Sequence, residues 1–204
     1  MSGKVKADIS VSIDGYVAGP DDSHEQPLGR GGEALHEWVI ATAGWRRRHR
    51  YEGGTTGVDS ELMEEAWAGL SAIVMGRRMF DLGEPYWGEE PPFRVPVFVV
   101  TNRPHEAIVR GETTFTFVTG GPEQAVELAR EAAGDGDVSI AGGGDVIGQL
   151  LQAGAVDELL LHVVPVVLGG GASLFAGVGP EVRFEQVRAV AGDGVTHLLL
   201  HAAR

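Results

Sequence analysis

The chain contains no cysteine. That absence excludes disulfides, zinc–thiolate sites, iron–sulfur clusters and a catalytic thiol together, and it fits a reducing compartment. Basic residues are scarce too: 16 Lys plus Arg stand against 29 Asp plus Glu, for a net charge of −13. Nucleic acid is therefore not an expected partner, because neutralising its phosphates takes a basic surface. Long hydrophobic runs are missing as well. No stretch approaches the roughly 18 residues of a membrane span. Met1 to Gly15 alternates polar and apolar residues and carries no apolar core of the secretory type. The expectation is a cytoplasmic protein without membrane association.

Glycine, by contrast, is abundant at 31 of 204 positions, about twice the usual share. Hydrophobic residues make up 43% of the chain, which argues against global disorder. The length suits one compact domain over residues 1–204. Lys4–Ile13 alternates with Val5, Ala7, Ile9, Val11 and Ile13 on one face, a strand pattern. Helical spacing follows at Ala34–Ala43 and at Asp59–Leu70. Ala72–Met75 reads as a buried strand, Arg77–Leu82 as a helix start, and Val95–Thr101 and Phe115–Thr119 as strands. Pro122–Ala133 is a helix with proline in its first turn. Val138–Ala141 is a strand, Asp145–Ala153 a helix, and Asp157–Val164, Arg183–Val190 and Val195–His201 are strands. This alternation predicts an α/β fold: a mostly parallel eight-stranded sheet, helices on both faces and an antiparallel C-terminal edge. Gly44–Gly57 reads as a long loop.

In open α/β sheets, ligands collect at the carboxyl ends of strands. Three such ends carry suitable residues. Gly76-Arg77-Arg78 joins a strand to a helix with two guanidinium groups. Thr101-Asn102-Arg103 closes another strand. Gly142-Gly143-Gly144-Asp145-Val146-Ile147 leads a strand into a helix start. Glycine there lets the backbone approach a diphosphate, and free N–H groups at the helix start favour the anion. Arginine forks suit a terminal phosphate such as the 2′-phosphate of NADP. Each feature alone has a plainer reading, a tight turn or a solvated arginine; their recurrence at three strand ends favours a dinucleotide. The Rossmann fingerprint and the Walker A loop are both absent. A second glycine run, Gly169-Gly170-Gly171, either joins two strands or lines the cleft.

Ser12-Ile13-Asp14-Gly15-Tyr16, Met75-Gly76-Arg77-Arg78, Val100-Thr101-Asn102, Gly142-Gly143-Gly144 and Pro165–Gly171 with Leu174-Phe175 occur in this order. Together they resemble the dihydrofolate-reductase-like superfamily, and within it the reductase domain of the bifunctional riboflavin-biosynthesis deaminase–reductase. The resemblance spans Lys4 to His201. It implies NADPH as hydride donor, a small heterocyclic substrate and a homodimer. Carried over by position, it gives Gly76, Arg77 and Arg78 to the adenosine–phosphate side, and Thr101, Asn102 and Arg103 to the 2′-phosphate ribose. Gly142 through Ile147 would hold the diphosphate and nicotinamide ribose, and Asp14 and Gly15 the loop over the nicotinamide. Ala141 and Tyr16 depart from the Glu and the Lys or Arg of riboflavin reductases, and the zinc-binding Cys and His signature of the deaminase half does not occur in these residues. Two other readings stay open, a non-catalytic NADP(H)-binding module and a true dihydrofolate reductase.

Hydride transfer asks the protein mainly to place the two reactants and exclude water. Asp14 is the candidate proton donor, unless it merely turns the chain with Gly15. In dihydrofolate reductases proper an acid on the first long helix protonates the pterin; Glu33 and Glu37 are the only candidates nearby. Trp87, next to Tyr86 in the Pro/Gly-rich loop Gly83–Pro92, is a core or interface candidate that could instead stack on a planar substrate. Arg46-Arg47-Arg48-His49-Arg50 is either a solvated run or an attractor of anionic ligands. The seven histidines form no metal pattern and receive no role.

Overall fold

The structure, a computed structural model, describes residues 3–203. Its strands are β1 (Val5–Ser12), β2 (Tyr16–Ala18), β3 (Leu70–Gly76), β4 (Val97–Val100), β5 (Ile108–Arg110), β6 (Thr113–Val118), β7 (Asp137–Gly142), β8 (Glu158–Val164), β9 (Ala172–Ser173), β10 (Phe184–Ala191) and β11 (Thr196–Ala202). Its helices are α1 (Glu37–Ala41), α2 (Ala43–Arg48), α3 (Val58–Trp67), α4 (Arg77–Trp87), α5 (Gly121–Ala133) and α6 (Gly144–Gln152), with a 3-10 turn at Gly32–Leu35.

The main sheet runs β10-β11-β8-β1-β7-β3-β4-β6-β5. The six strands from β8 to β6 are mutually parallel, and β10 and β11 add the expected antiparallel C-terminal edge. The sheet has nine strands rather than eight, because β5 pairs antiparallel with β6 at the other edge. Three residues are too few for an alternating pattern to register in the sequence.

Strand alternation sends neighbouring side chains to opposite faces. Ala72 and Val74 of β3 pack with Ala125, Val126, Ile147 and Leu150 of α5 and α6. Ile73 and Met75 join Phe80 of α4 and Phe115 on the other face. Trp38 and Val39 of α1 and Met63 of α3 pack with Val164 and Val195, on β8 and beside β11. Fully burying one such aliphatic side chain contributes about 1.5–3 kcal/mol, so these contacts fix the strand ends that the site uses.

Three sequence expectations change. Gly44–Gly57 is not all loop: α2 occupies its start, and Thr42 caps that helix by accepting the Trp45 amide at 3.2 Å. The basic run is mostly engaged internally. Arg47 pairs with Glu64, Arg48 donates to the Phe93 carbonyl, and Arg50 pairs with Glu90. Trp87 ends α4 instead of lying in a loop, although Pro85 stands inside that helix. Phe80 and Trp87 lie seven residues apart on one helical face, and their shared burial outweighs the helix-breaking proline.

Candidate functional site

The parallel strands β1, β7, β3 and β4 are consecutive neighbours, so Ser12, Gly142, Gly76 and Val100 finish along one rim of the sheet. Register brings Met75 beside Gly142 and Gly76 beside Val100. A Cβ added to Gly76 would sit 3.7 Å from the Gly143 Cα and 3.3 Å from Val146 Cγ2. Gly143 itself has φ +80°, a left-handed backbone that favours glycine. At Gly144 an added Cβ would lie 2.6 Å from the Ser173 carbonyl oxygen, too close for any side chain. Ser173 belongs to β9, which pairs with β2. The loops after β1, β7 and β8 therefore close on one another at this rim.

The second glycine run is part of the same construction. A Cβ on Gly171 would lie 2.1 Å from the Ala18 carbonyl oxygen, so glycine is required where β9 crosses β2. At the start of α6, the amides of Gly144, Asp145 and Val146 have no acceptor within the helix. Flanked by glycine, these amides lie at a helix start, the kind of place that favours an anion. Ile147 departs from expectation. Its side chain is fully buried and its amide donates to the Gly143 carbonyl at 3.1 Å, so it offers a ligand nothing. Val146 also sends its side chain into the core, which leaves only its amide for such a role.

Beside this rim lies a cleft of ≈ 380 Å³, into which Arg77, Arg78, Thr101, Asn102 and Arg103 all project, with His24 and Asp81. The structure thus gathers the residues of two separate strand ends. Thr101 is buried, and its hydroxyl accepts the Arg103 amide at 3.0 Å, tightening the turn. Two carboxylates order the guanidinium groups. Asp81 takes Arg77 Nε at 2.6 Å and Arg103 Nη2 at 2.9 Å. Asp22 grips Arg78, accepting from Nη2 at 2.5 Å and also from Nε. That pairing holds the Asp22 carboxyl below the usual carboxylate range. Asp81 lies one helical turn beyond Arg77, a readable (i, i+4) signal. Asp22 had no sequence signal at all.

Asp14 lies in the loop after β1, as expected, whereas Trp87 takes another place than the one expected. Asp14 accepts the Ser12 hydroxyl at 2.6 Å and the Leu168 and Gly169 amides at 3.1 and 2.8 Å. The Ser12 hydroxyl above all, helped by those amides, holds its carboxyl below the ordinary range. With three donors on it, the carboxylate is placed as an acceptor. Asp14 instead ties the loop after β1 to the loop after β8. Trp87 stacks on Phe115 with 5.8 Å between ring centroids and 7° between planes, and meets Phe93 edge-on at 4.8 Å. Its ring is engaged in an internal aromatic cluster. Glu33 and Glu37 are exposed, whereas Leu35 and Trp38 of the same segment point inward.

The histidines that received no role contain one connected group. Asp8 pairs with His162, His162 with His197, and His197 with Asp59, through contacts of 2.8, 2.6 and 3.0 Å. Both rings are buried and lie against Trp38.

The sequence profile of the RibD C-terminal domain family matches residues 3–198. The chain belongs to that family of reductase-like domains. A Bacillus subtilis (strain 168) protein, YwjB, is 33% identical over 183 residues, covering 90% of this chain and 88% of its own. Among solved structures, a Shewanella sp. PV-4 protein described as belonging to riboflavin biosynthesis superposes with a TM-score of 0.70 at 22% identity, covering 98% of this chain and 99% of that one. Dihydrofolate reductase from Enterococcus faecalis, complexed with NADP(H), gives a TM-score of 0.60 at 15% identity, covering 100% and 99%. The fold is therefore that of the dihydrofolate-reductase-like proteins.

Proposed function

We propose that the protein is an NADPH-dependent reductase that transfers hydride to a small heterocyclic substrate of the pterin or aminopyrimidine kind. One observation carries this reading: the glycine corners Gly76 and Gly142–Gly144 and the arginine cleft adjoin on one rim. A diphosphate suits the first, where the start of α6 follows the glycine corner, and a terminal phosphate suits the second, where three guanidinium groups meet. When bound, the nicotinamide supplies the hydride. The chain's own work is placement. The amides of Gly144, Asp145 and Val146 receive the diphosphate, and Arg77, Arg78 and Arg103, with Thr101 and Asn102 beside them, receive the 2′-phosphate. The Asp14–Gly15 loop, pinned through Leu168 and Gly169, bounds the nicotinamide end and keeps water out. The protein acts as a homodimer in this reading, with edge strand β10 as its exposed ladder.

A second reading, an NADP(H)-binding module without turnover, draws support from Asp14, whose carboxylate is engaged by three donors, and from the outward Glu33 and Glu37. The true dihydrofolate reductase reading loses support on the same ground. The experiment is to incubate the protein with NADPH and a panel of folates, pterins and aminouracils, following loss of nicotinamide absorbance. Oxidation with one of these is the expected result; binding with no oxidation across the panel would favour the module.

A further inference from the structure

Arg78 is the one arginine of the cleft that a carboxylate from outside its helix holds by both arms. Its Nε and Nη2 donate to the two carboxylate oxygens of Asp22, and Nη2 also reaches the Asp22 carbonyl oxygen at 3.1 Å. This is the fork geometry that a phosphate would demand of the same guanidinium. Two residues on, the His24 carbonyl accepts the Tyr86 hydroxyl at 2.8 Å. The segment between β2 and the 3-10 turn is thus fastened to α4 at two points, and His24 reaches the cleft. Asp81 differs from Asp22. It bridges Arg77 and Arg103 within the cleft and leaves each guanidinium other donors, so it orients them without covering them.

We infer that Asp22 is a specificity-determining residue: a built-in rival anion that occupies Arg78 and that the 2′-phosphate of the dinucleotide must displace. The inference rests on the reductase reading above. A dinucleotide lacking that phosphate has no claim on Arg78 and leaves the Asp22 pair intact, so the carboxylate lowers the affinity for NADPH without lowering that for NADH. The displaced pair is largely exposed on the arginine side, at 69% for Arg78 against 22% for Asp22. Its hold is therefore modest, and the phosphate, carrying more negative charge, wins at saturating dinucleotide.

The test compares NADPH and NADH affinities of the wild type, Asp22→Asn and Tyr86→Phe by nicotinamide fluorescence. Asp22→Asn should bind NADPH about three- to fivefold more tightly, the size of one exposed ion pair, with NADH affinity unchanged. The gain should shrink in high salt. Tyr86→Phe cuts the other fastening without touching charge and should leave the NADPH to NADH ratio as it was. Equal changes for both dinucleotides, weaker NADPH binding in Asp22→Asn, or the same gain in Tyr86→Phe would overturn the role of Asp22 alone. A wild type that binds neither dinucleotide would overturn the reductase reading and this inference together.

Discussion

His162 Nδ1 lies 2.6 Å from His197 Nδ1. Both Nε2 atoms face carboxylates, Asp8 and Asp59, so the four side chains form one continuous polar chain through the buried end of the sheet. Asp59 also accepts the Asp193 amide at 3.1 Å, so the group ties α3 and the β10–β11 turn to the sheet. Asp59→Ala should cost about 3 kcal/mol, since it leaves a buried imidazole without its acceptor. Urea unfolding measures this, and a loss near zero would contradict the assigned network.

The same group sets a pH dependence. Burial, first, and the charge of His162 hold His197 below the ordinary histidine value of 6.5, despite Asp59. Burial lowers His36 likewise. The folded state then binds fewer protons than the unfolded chain below that value. Stability should be full above about pH 6.5 and fall as the pH drops below it. Urea midpoints across that range check the sign; a midpoint that rises toward acid would contradict it.

Gly144→Val should lower the melting temperature, because its side chain would collide with the Ser173 carbonyl, and NADPH binding should be lost as β9 is pushed off the start of α6. Gly169→Ala, where an added Cβ meets no atom within 4 Å but φ is +71°, should cost only about 1 kcal/mol of backbone strain and leave binding intact. Calorimetric titration together with a melting curve separates the two effects.

Trp87→Ala should destabilise the fold by about 3 kcal/mol through the lost aromatic cluster, while substrate affinity in the folded fraction stays unchanged. A selective rise in KM without loss of stability would restore Trp87 to the substrate site.

What the sequence made legible was local. Gly142–Gly144 and Gly76-Arg77 could be read because strand, glycine and helix start follow one another along the chain, and backbone approach depends on residues that are adjacent. Side-chain partnerships across the fold were not legible. Asp22 and Arg78 are 56 residues apart, and His162 and His197 are 35 apart; no periodicity connects them. Trp87 misled because Pro85 and the flanking glycines imitate a loop, while the aromatic partner that holds it, Phe115, comes from strand β6. Ile147 misled because a residue may follow a phosphate-type corner and still face the core.

The homodimer has its own check. Most of β10 is exposed, Val187 at 51%, and one side of its ladder is unpaired in the sheet order. Light scattering should give twice the single-chain mass, and Val187→Lys should return it to the single-chain value. A single-chain mass for the wild type would contradict the dimer.

Titrating the wild-type protein with NADPH and following nicotinamide fluorescence asks most directly whether the joined strand ends form a dinucleotide cradle. Saturation at one NADPH per chain by tens of micromolar, weakened in Arg103→Ala far more for NADPH than for NADH, is the outcome expected. No fluorescence change over that range would mean that the glycine corners and the arginine cleft serve no common ligand.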